Sequence, residues 1–184
     1  SKDNKHNRLI FTLSKKQKLI YNDVRKFGFI KISDKRQLQY NLHLKNLGPE
    51  PLGNSFNFKY FKNYLINRNR TIKDILMDQK FVSGLGNIYV NEVLFLSKVK
   101  PTKKTYLIKN NEIHKIIKNT KKTLKKAISL GGSSLKDFSS SDGKKGEFQQ
   151  YFYVYGRKGD NCLNRNCNKK IIKTIIGNRA TFYC

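Results

Sequence analysis

The chain has 184 residues, enough for one ordinary domain or two small ones, and 38% of them are hydrophobic, so it can form a core. Its 39 Lys and Arg residues against 12 Asp and Glu give a formal net charge of +27, which favours a polyanionic partner such as nucleic acid over a merely solvated surface in a lysine-rich proteome. The sequence shows no apolar run that could span a bilayer, no secretory signal, and no disulfide framework in its three cysteines, so a cytoplasmic protein is expected.

The first third of the chain has the pattern of β-strands. Ile, Phe and Tyr recur near every second position in 8–13, 18–23 and 27–32, and a polar turn separates the first two segments. Two prolines and two glycines follow within 47–55, which predicts a domain boundary or linker.

From residue 55 the apolar residues take helical spacing. Ser55 is a candidate N-cap for a helix over 58–67, and a second short helix is predicted over 71–79. Asn110 or Asn111 is the candidate N-cap of the longest helix, which is predicted to end at the following pair of glycines. One face of this helix carries the residues expected in the core, which are Ile113, Ile116, Ile117, Thr120, Leu124 and Ile128.

A polar stretch rich in Ser and Gly follows at 131–147 and predicts a flexible loop. Apolar residues then alternate again at 151–156, 171–176 and 180–184, which indicates a small β unit. The order of strands, linker, helices, loop and β unit predicts an α+β fold with two or three sub-domains.

The segment GLGNIYVNE begins at Gly84 and predicts a third helix with an unusual start. Glycines permit positive φ and close backbone approach, and Asn87 is a candidate N-cap. Free N–H groups and the positive end of the helix dipole together make a phosphate site. The alternative is an ordinary joint between helices that binds nothing, and the net charge favours the phosphate contact.

All three cysteines lie near the end of the sequence. Cys162 and Cys167 are separated by four residues and Cys184 follows, a pattern that indicates thiolate ligands of a structural zinc whose fourth ligand is missing. The alternative is three unrelated buried thiols.

Three segments in this order, GLGNIYVNEVLF, GGSSLKDFSSSDGKKGEFQQYFYVYGRKGDNC and NRATFYC, resemble the formamidopyrimidine-DNA glycosylases, base-excision enzymes for oxidised purines. The resemblance covers nearly the whole chain, and its second segment favours this branch over the related endonuclease-eight enzymes. It implies a remnant of an N-terminal β-sandwich at 1–46, a linker at 47–54, a helix–two-turn–helix domain with a lesion-covering loop at 55–150, and an incomplete zinc hairpin at 151–184.

The resemblance also implies site residues. In the first strands, His6 matches a phosphate-contacting histidine, Arg25 matches the arginine that fills the space of a flipped base, and Phe27 matches the aromatic wedge beside it. Each has a simpler interpretation, as a solvated surface group or as a core residue.

Four more matches lie further along the chain. Arg68 aligns loosely with a basic DNA contact, and Lys73 matches a lysine near the lesion phosphate. Asn87 matches a phosphate-binding asparagine, and Arg179 matches the hairpin arginine that binds phosphate and donates a proton in δ-elimination.

The chain departs from the family pattern at several points. Val24 and Lys26 replace a proline and an arginine, the first cysteine pair is wider than usual, and the fourth cysteine is absent. The family's N-terminal proline nucleophile, its adjacent glutamate and an early lysine are also absent, so we expect a fragment that is inactive alone.

The function implied for the complete protein is a DNA glycosylase and AP lyase for 8-oxoguanine and formamidopyrimidines, acting through an imine and β,δ-elimination. Its expected partner is double-stranded DNA with a damaged base, and a monomer associated with a bacterial nucleoid is expected. The alternatives are a non-catalytic binder of damaged DNA, an endonuclease-eight-type enzyme for oxidised pyrimidines, and a basic ribosomal or architectural protein.

Overall fold

The computed structural model describes residues 5–133 and 146–184. It divides into two compact units, Ser1–Asn41 and Leu42–Cys184. Most of the expected lesion-covering loop lies outside the described residues. Within the described part, no helix is both long and apolar enough to cross a membrane.

The first unit contains an antiparallel hairpin of two strands. Strands β1 (Asn7–Thr12) and β2 (Lys18–Asn22) pair with Ile10 opposite Ile20, which confirms two predicted strands. The predicted strand at 27–32 is wrong. A strand needs the main chain of a neighbour, and no described segment pairs with these residues.

Among the described residues, four α-helices contribute to the hydrophobic core of the second unit. They are α1 (Phe58–Leu65), α2 (Ile72–Leu76), α3 (Asn87–Leu96) and α4 (Asn110–Ser129). The cap of α1 is Asn57 and not Ser55, because Asn57 Oδ1 accepts the N–H of Tyr60 at 3.0 Å. The cap of α4 is Lys109 and not Asn110 or Asn111, because the N–H of Lys109 donates to Glu112 Oε2 at 2.8 Å and Asn110 is already helical.

The end of α4 lies where the glycine pair predicts it. Gly131 and Gly132 have φ of +71° and +84°, and the N–H of Gly132 donates to the oxygen of Ala127 at 2.8 Å. The buried face departs from the prediction near this end, since Ala127 is buried whereas Ile128 is 65% exposed. Successive core positions along the helix are spaced by three or four residues, and Ile128 lies one position beyond that series.

An aromatic cluster centred on Phe81 holds α1 against the segment between α2 and α3. The ring centroid of Phe81 lies 4.6 Å from that of Tyr64, 4.9 Å from that of Phe61 and 5.9 Å from that of Phe56. Phe56, Phe61 and Phe81 are fully buried together with apolar residues of α2, α3 and α4. This core fixes the helices on which the candidate site is built.

A second hairpin completes the unit. Strands β3 (Ile172–Ile176) and β4 (Arg179–Tyr183) are antiparallel, and Gly177 and Asn178 form a two-residue turn with φ of +54° and +57°. Both strands were expected from the sequence. The predicted strand-like alternation at 151–156 is wrong, because a 3₁₀ turn occupies Phe148–Tyr151 and the next amides bind a buried carboxylate described below.

Candidate nucleic-acid interface

The start of α3 presents main-chain N–H groups without a side-chain cap. Gly86 is the N-cap residue and has no side chain to offer, so the prediction of Asn87 as the cap is wrong. Gly84 has φ of +75°, and its N–H donates to Gln79 Oε1 at 2.7 Å, which ties down the turn before the helix. The free amides and the helix dipole favour an anion at this point.

Asn87 is the first helical residue, and its side chain reaches the hairpin. Asn87 Nδ2 donates to the oxygen of Ala180 at 3.0 Å, and Lys73 Nζ donates to the same oxygen at 3.2 Å. Lys73 Nζ also donates to Thr181 Oγ1 at 2.6 Å. These contacts dock β4 onto α2 and α3.

Lys73 is a buried cation, with only 1% of its surface exposed. Burial lowers the pKa of Lys73, Asp74 opposes that shift and Arg179 adds to it, and together they bring the pKa to about 8. The ammonium is therefore mostly protonated at neutral pH. Its position beneath β4 favours a supporting role over direct contact with a phosphate.

Arg179 is exposed at the start of β4, directly after the hairpin turn. Across the part of the chain that the structure describes, no hydrogen bond or ion pair engages its guanidinium. It borders a groove of about 570 Å³ that Arg70 and Lys80 also line. Asp74 and Asp78 line the same groove, but the guanidinium of Arg179 pairs with neither of them and is suited to a phosphate.

Arg68 lies elsewhere in the second unit. Its guanidinium carbon stands 4.0 Å from the ring centroid of Tyr64, and its Nε donates to the oxygen of Tyr64 at 2.6 Å. Arg70 lines the groove instead, although it is partly neutralised by Asp78 at 2.7 Å. The sequence could have indicated Arg70, because it directly precedes Thr71, the N-cap of α2. The hydroxyl of Thr71 accepts the N–H of Asp74.

The three site residues expected in the first unit lie around one turn. Asp23 Oδ1 accepts the N–H of Arg25 at 2.9 Å, and the N–H of Asp23 donates to the oxygen of His6 at 3.0 Å. The guanidinium carbon of Arg25 lies 5.5 Å from the ring centroid of Phe27, which is 81% exposed. An exposed aromatic ring beside a cation is a stacking surface suited to a nucleobase.

The cysteines converge as the sequence indicates. The Sγ atoms of Cys162, Cys167 and Cys184 all lie within 4.8 Å of one another, and those of Cys167 and Cys184 are 3.5 Å apart. Tetrahedral zinc with Zn–S bonds of about 2.3 Å places sulfurs about 3.8 Å apart, so the donor set fits zinc. The wider spacing is accommodated by a turn in which Asn166 has φ of +65°.

The protonation of these thiols also suits a metal site. The amide of Lys169, followed by the neighbouring thiols, lowers the pKa of Cys167, whereas burial raises the pKa of Cys184 to about 12. One thiolate is thus favoured, and a cation would be needed to hold several together.

Two residues of α3 that the sequence patterns do not single out also hold the C-terminal segment. Glu92 is 1% exposed, and its carboxylate accepts the N–H groups of Tyr153, Val154 and Tyr155 at 2.8 to 3.0 Å. Burial raises the pKa of Glu92, and the three amides oppose that shift. Asn91 accepts the N–H of Phe182 at 2.7 Å. The available signal was a polar pair inside an otherwise apolar helix.

The helical unit with its hairpin defines a helix–two-turn–helix class of protein. Residues 47–139 match the formamidopyrimidine-DNA glycosylase H2TH domain, and the chain belongs to the formamidopyrimidine-DNA glycosylase family. The resemblance inferred from the sequence motifs is thereby confirmed.

Relatives and solved structures agree with this assignment. The chain is 44% identical over 180 residues to formamidopyrimidine-DNA glycosylase of Rickettsia felis and 38% identical over 180 residues to that of Roseobacter denitrificans, covering 98% of this chain and 64% of each relative. The chain therefore spans about 64% of the length of these curated relatives.

Two solved structures show the same fold. A Lactococcus lactis Fpg complex with DNA containing an abasic site superposes with a TM-score of 0.90 at 37% identity, covering 100% of this chain and 66% of that one. The MutM (Fpg) protein of Thermus thermophilus superposes with a TM-score of 0.85 at 32% identity, covering 98% and 68%. The expected mixed fold, with helices, small sheets and a C-terminal cysteine cluster, is confirmed.

Proposed function

We propose that this chain is the DNA-binding part of a DNA glycosylase that acts in base-excision repair. The observation that carries the proposal is that Lys73 of α2 and Asn87 at the uncapped start of α3 both bond to the oxygen of Ala180, which follows the exposed Arg179 in the chain. The Lactococcus lactis relatives were solved in complexes with DNA that contains an abasic site or Fapy-dG.

The site would hold one phosphate of the damaged strand. The amides at the start of α3 offer hydrogen-bond donors and the positive end of the helix dipole, and Arg179 adds a free guanidinium. Lys73 would contribute charge from below while it supports β4. The net charge of +27 would speed the encounter with DNA and make binding dependent on salt.

Within the first unit, Arg25 and Phe27 would take the space of an extruded nucleotide. Flipping a base costs a few kcal/mol of stacking and pairing, which inserted side chains offset. The exposure of Phe27 is consistent with this role, because a ring left in water gains by stacking on a base. His6, next to the same turn, is proposed as a phosphate contact.

Zinc would bind Cys162, Cys167 and Cys184 and would cross-link the segment before β3 to the end of β4. This role is structural, since the metal would hold the hairpin that carries Arg179. The fourth ligand is not among the described residues.

The proposed chemistry is removal of oxidised purines, 8-oxoguanine and formamidopyrimidines, followed by cleavage of the strand. An amine that is not assigned among the described residues would displace the damaged base from C1′ and form an imine with the opened sugar, and β- and δ-elimination would then break the bonds from the sugar to its 3′ and 5′ phosphates. Of the residues in this chain, Arg179 is proposed to take part, by binding the departing phosphate and donating a proton in δ-elimination. The second candidate is a binder of damaged DNA without catalysis, a role that the exposed ring of Phe27 beside Arg25 would serve equally well.

Titration of fluorescent duplexes tests the DNA-binding proposal. The chain should bind a duplex with an abasic-site analogue more tightly than an intact one, and log K should fall with log salt by about 0.9 per phosphate neutralised. Arg179→Ala should weaken binding and reduce that slope by about one, whereas Lys115→Ala on the outer face of α4 should have a much smaller effect. A DNA affinity that does not change with salt concentration would contradict the proposal.

Borohydride trapping with the complete natural protein separates the two candidates. An enzyme that acts through an imine is captured covalently on a duplex containing 8-oxoguanine, because borohydride reduces the imine to a stable amine. A binder without catalysis leaves no adduct and no cleaved strand.

A further inference from the structure

Asn91 lies one turn after Asn87 on α3, and only 2% of its surface is exposed. Its Oδ1 accepts the N–H of Phe182 at 2.7 Å, and its Nδ2 donates to the main-chain oxygen of Asn87 at 2.6 Å. A main-chain N–H only donates and a main-chain oxygen only accepts, so these partners fix which end of the Asn91 amide is oxygen.

The orientation of Asn91 then determines that of Asn87. Asn91 Nδ2 also lies 3.3 Å from Asn87 Oδ1, so the oxygen of the Asn87 amide faces Asn91. The nitrogen of Asn87 is consequently turned toward the oxygen of Ala180. If Asn91 offered only acceptors, the Asn87 amide would be driven to flip and the bond to Ala180 would be lost.

These contacts occupy the edge of β4 that faces away from β3. Main-chain groups alternate in direction along a strand, and beside a two-residue turn the pair Ile176–Arg179 bonds across the hairpin, so residues 180 and 182 point outward. Side chains of Lys73, Asn87 and Asn91 bond to this outer edge as a third strand would. If β4 shifted by one residue relative to these side chains, Arg179 would lie on the opposite face of the hairpin.

We propose that Asn91 is a positioning residue for Arg179. It sets the register of β4 on α3 directly through Phe182, and indirectly through the orientation of Asn87 against Ala180. Asn91 is too deeply buried to touch DNA, so its effect on binding must pass through the residues it contacts, which are Phe182 of the hairpin and Asn87. This inference rests on the proposed function, in which Arg179 contacts a phosphate.

A double-mutant cycle on affinity for a duplex with an abasic-site analogue tests the role. Asn91→Ala should weaken binding about tenfold in the wild-type background but less than about twofold in the Arg179→Ala background, because coupled residues are not additive. Asn119→Ala is the matched control, since Asn119 also bonds to the end of α3, through Ser97 Oγ at 3.0 Å, but lies away from the hairpin. It should leave affinity unchanged.

Amide exchange gives a readout at the proposed contact. Asn91→Ala should abolish protection of the Phe182 N–H, whereas Asn91→Asp keeps an acceptor there and should retain it, with an intermediate loss of affinity. Asn91→Asp also serves in the cycle if Asn91→Ala does not fold.

The outcomes separate this inference from the proposed function. If Arg179→Ala alone leaves DNA affinity unchanged, the role of Arg179 fails, and the inference fails with it. If Arg179→Ala weakens binding but the Asn91 and Arg179 effects add, only the positioning role is overturned. Persistent protection of Phe182 in Asn91→Ala would overturn it as well.

Discussion

Lys73 of α2 and Arg179 of β4 lie close enough for the charge of the arginine to lower the pKa of the lysine. Two cations are held together because the lysine is anchored by Ala180 and Thr181, and because Asp74 offsets part of the repulsion. Such crowding of positive charge suits a site for a phosphate.

The lowered pKa of Lys73 makes stability depend on pH. Between about 8 in the folded state and 10.5, the ordinary value, the unfolded lysine keeps a proton that the folded one has lost. Stability contributed by this group therefore rises with pH across that window. The unfolding free energy of the wild type minus that of Lys73→Met should rise from pH 8 to pH 10.5 in urea titrations.

The exposed Lys118 of α4 provides the control for this measurement. Lys118→Met should show a difference from wild type that stays constant across the same pH range, because Lys118 lies on the solvent face of the helix. A constant or falling difference for Lys73→Met would contradict the assignment.

Metal binding should be detectable on the three cysteines. The chain refolded with zinc should retain about one ion by elemental analysis, and Cys167→Ser or Cys184→Ser should reduce retention sharply. Removal of zinc should loosen β3 and β4 and weaken DNA binding while the core around Phe81 persists, because that core lies in a separate cluster.

His114 is the control for metal content, because it stacks on Phe58 at 4.4 Å, away from the cysteines. His114→Ala should leave the zinc content unchanged. A wild-type chain that retains no metal would show that the three cysteines do not form a metal site.

Much of the fold follows from local patterns in the sequence. The two hairpins and four helices could be anticipated because alternation, helical spacing and glycine positions act over a few residues. The structure of segment 151–156 could not be anticipated, because its amides bind Glu92. Glu92 lies 62 residues before Val154 in the chain. Apolar alternation shows that residues are buried on one side, but it does not show what pairs with their main chain.

The sequence marks candidate site residues where a motif occurs, whereas contacts that arise from packing leave no such mark. Asn87 follows two glycines and Arg179 follows a hairpin turn, so both stand at recognisable places. The role of Asn91 depends on a hydrogen bond to Phe182 across 91 residues. No pattern within α3 specifies that partner.

The aromatic cluster gives a prediction about stability. Phe81 is fully buried and its ring contacts those of Phe56, Phe61 and Tyr64, so Phe81→Ala should cost about 3–5 kcal/mol in unfolding free energy through lost contacts and a cavity. Denaturant titration measures this cost. Phe27→Ala is the control, because it makes the same substitution at a residue that is 81% exposed. It should lower DNA affinity with little change in the unfolding free energy. Equal costs for the two variants would contradict the placement of both residues.

Glu92 gives the sharpest test of how the C-terminal segment is attached. Its two oxygens accept three amides, whereas glutamine offers one oxygen and an NH₂ group that would face a donor. Glu92→Gln should therefore cost about 2–3 kcal/mol, the scale for hydrogen bonds to a charged group, and should expose the amides of Tyr153 to Tyr155 to exchange. Glu147→Gln, on an exposed side chain, should cost almost nothing. If both variants unfold at the same denaturant concentration, Glu92 does not hold this segment to α3.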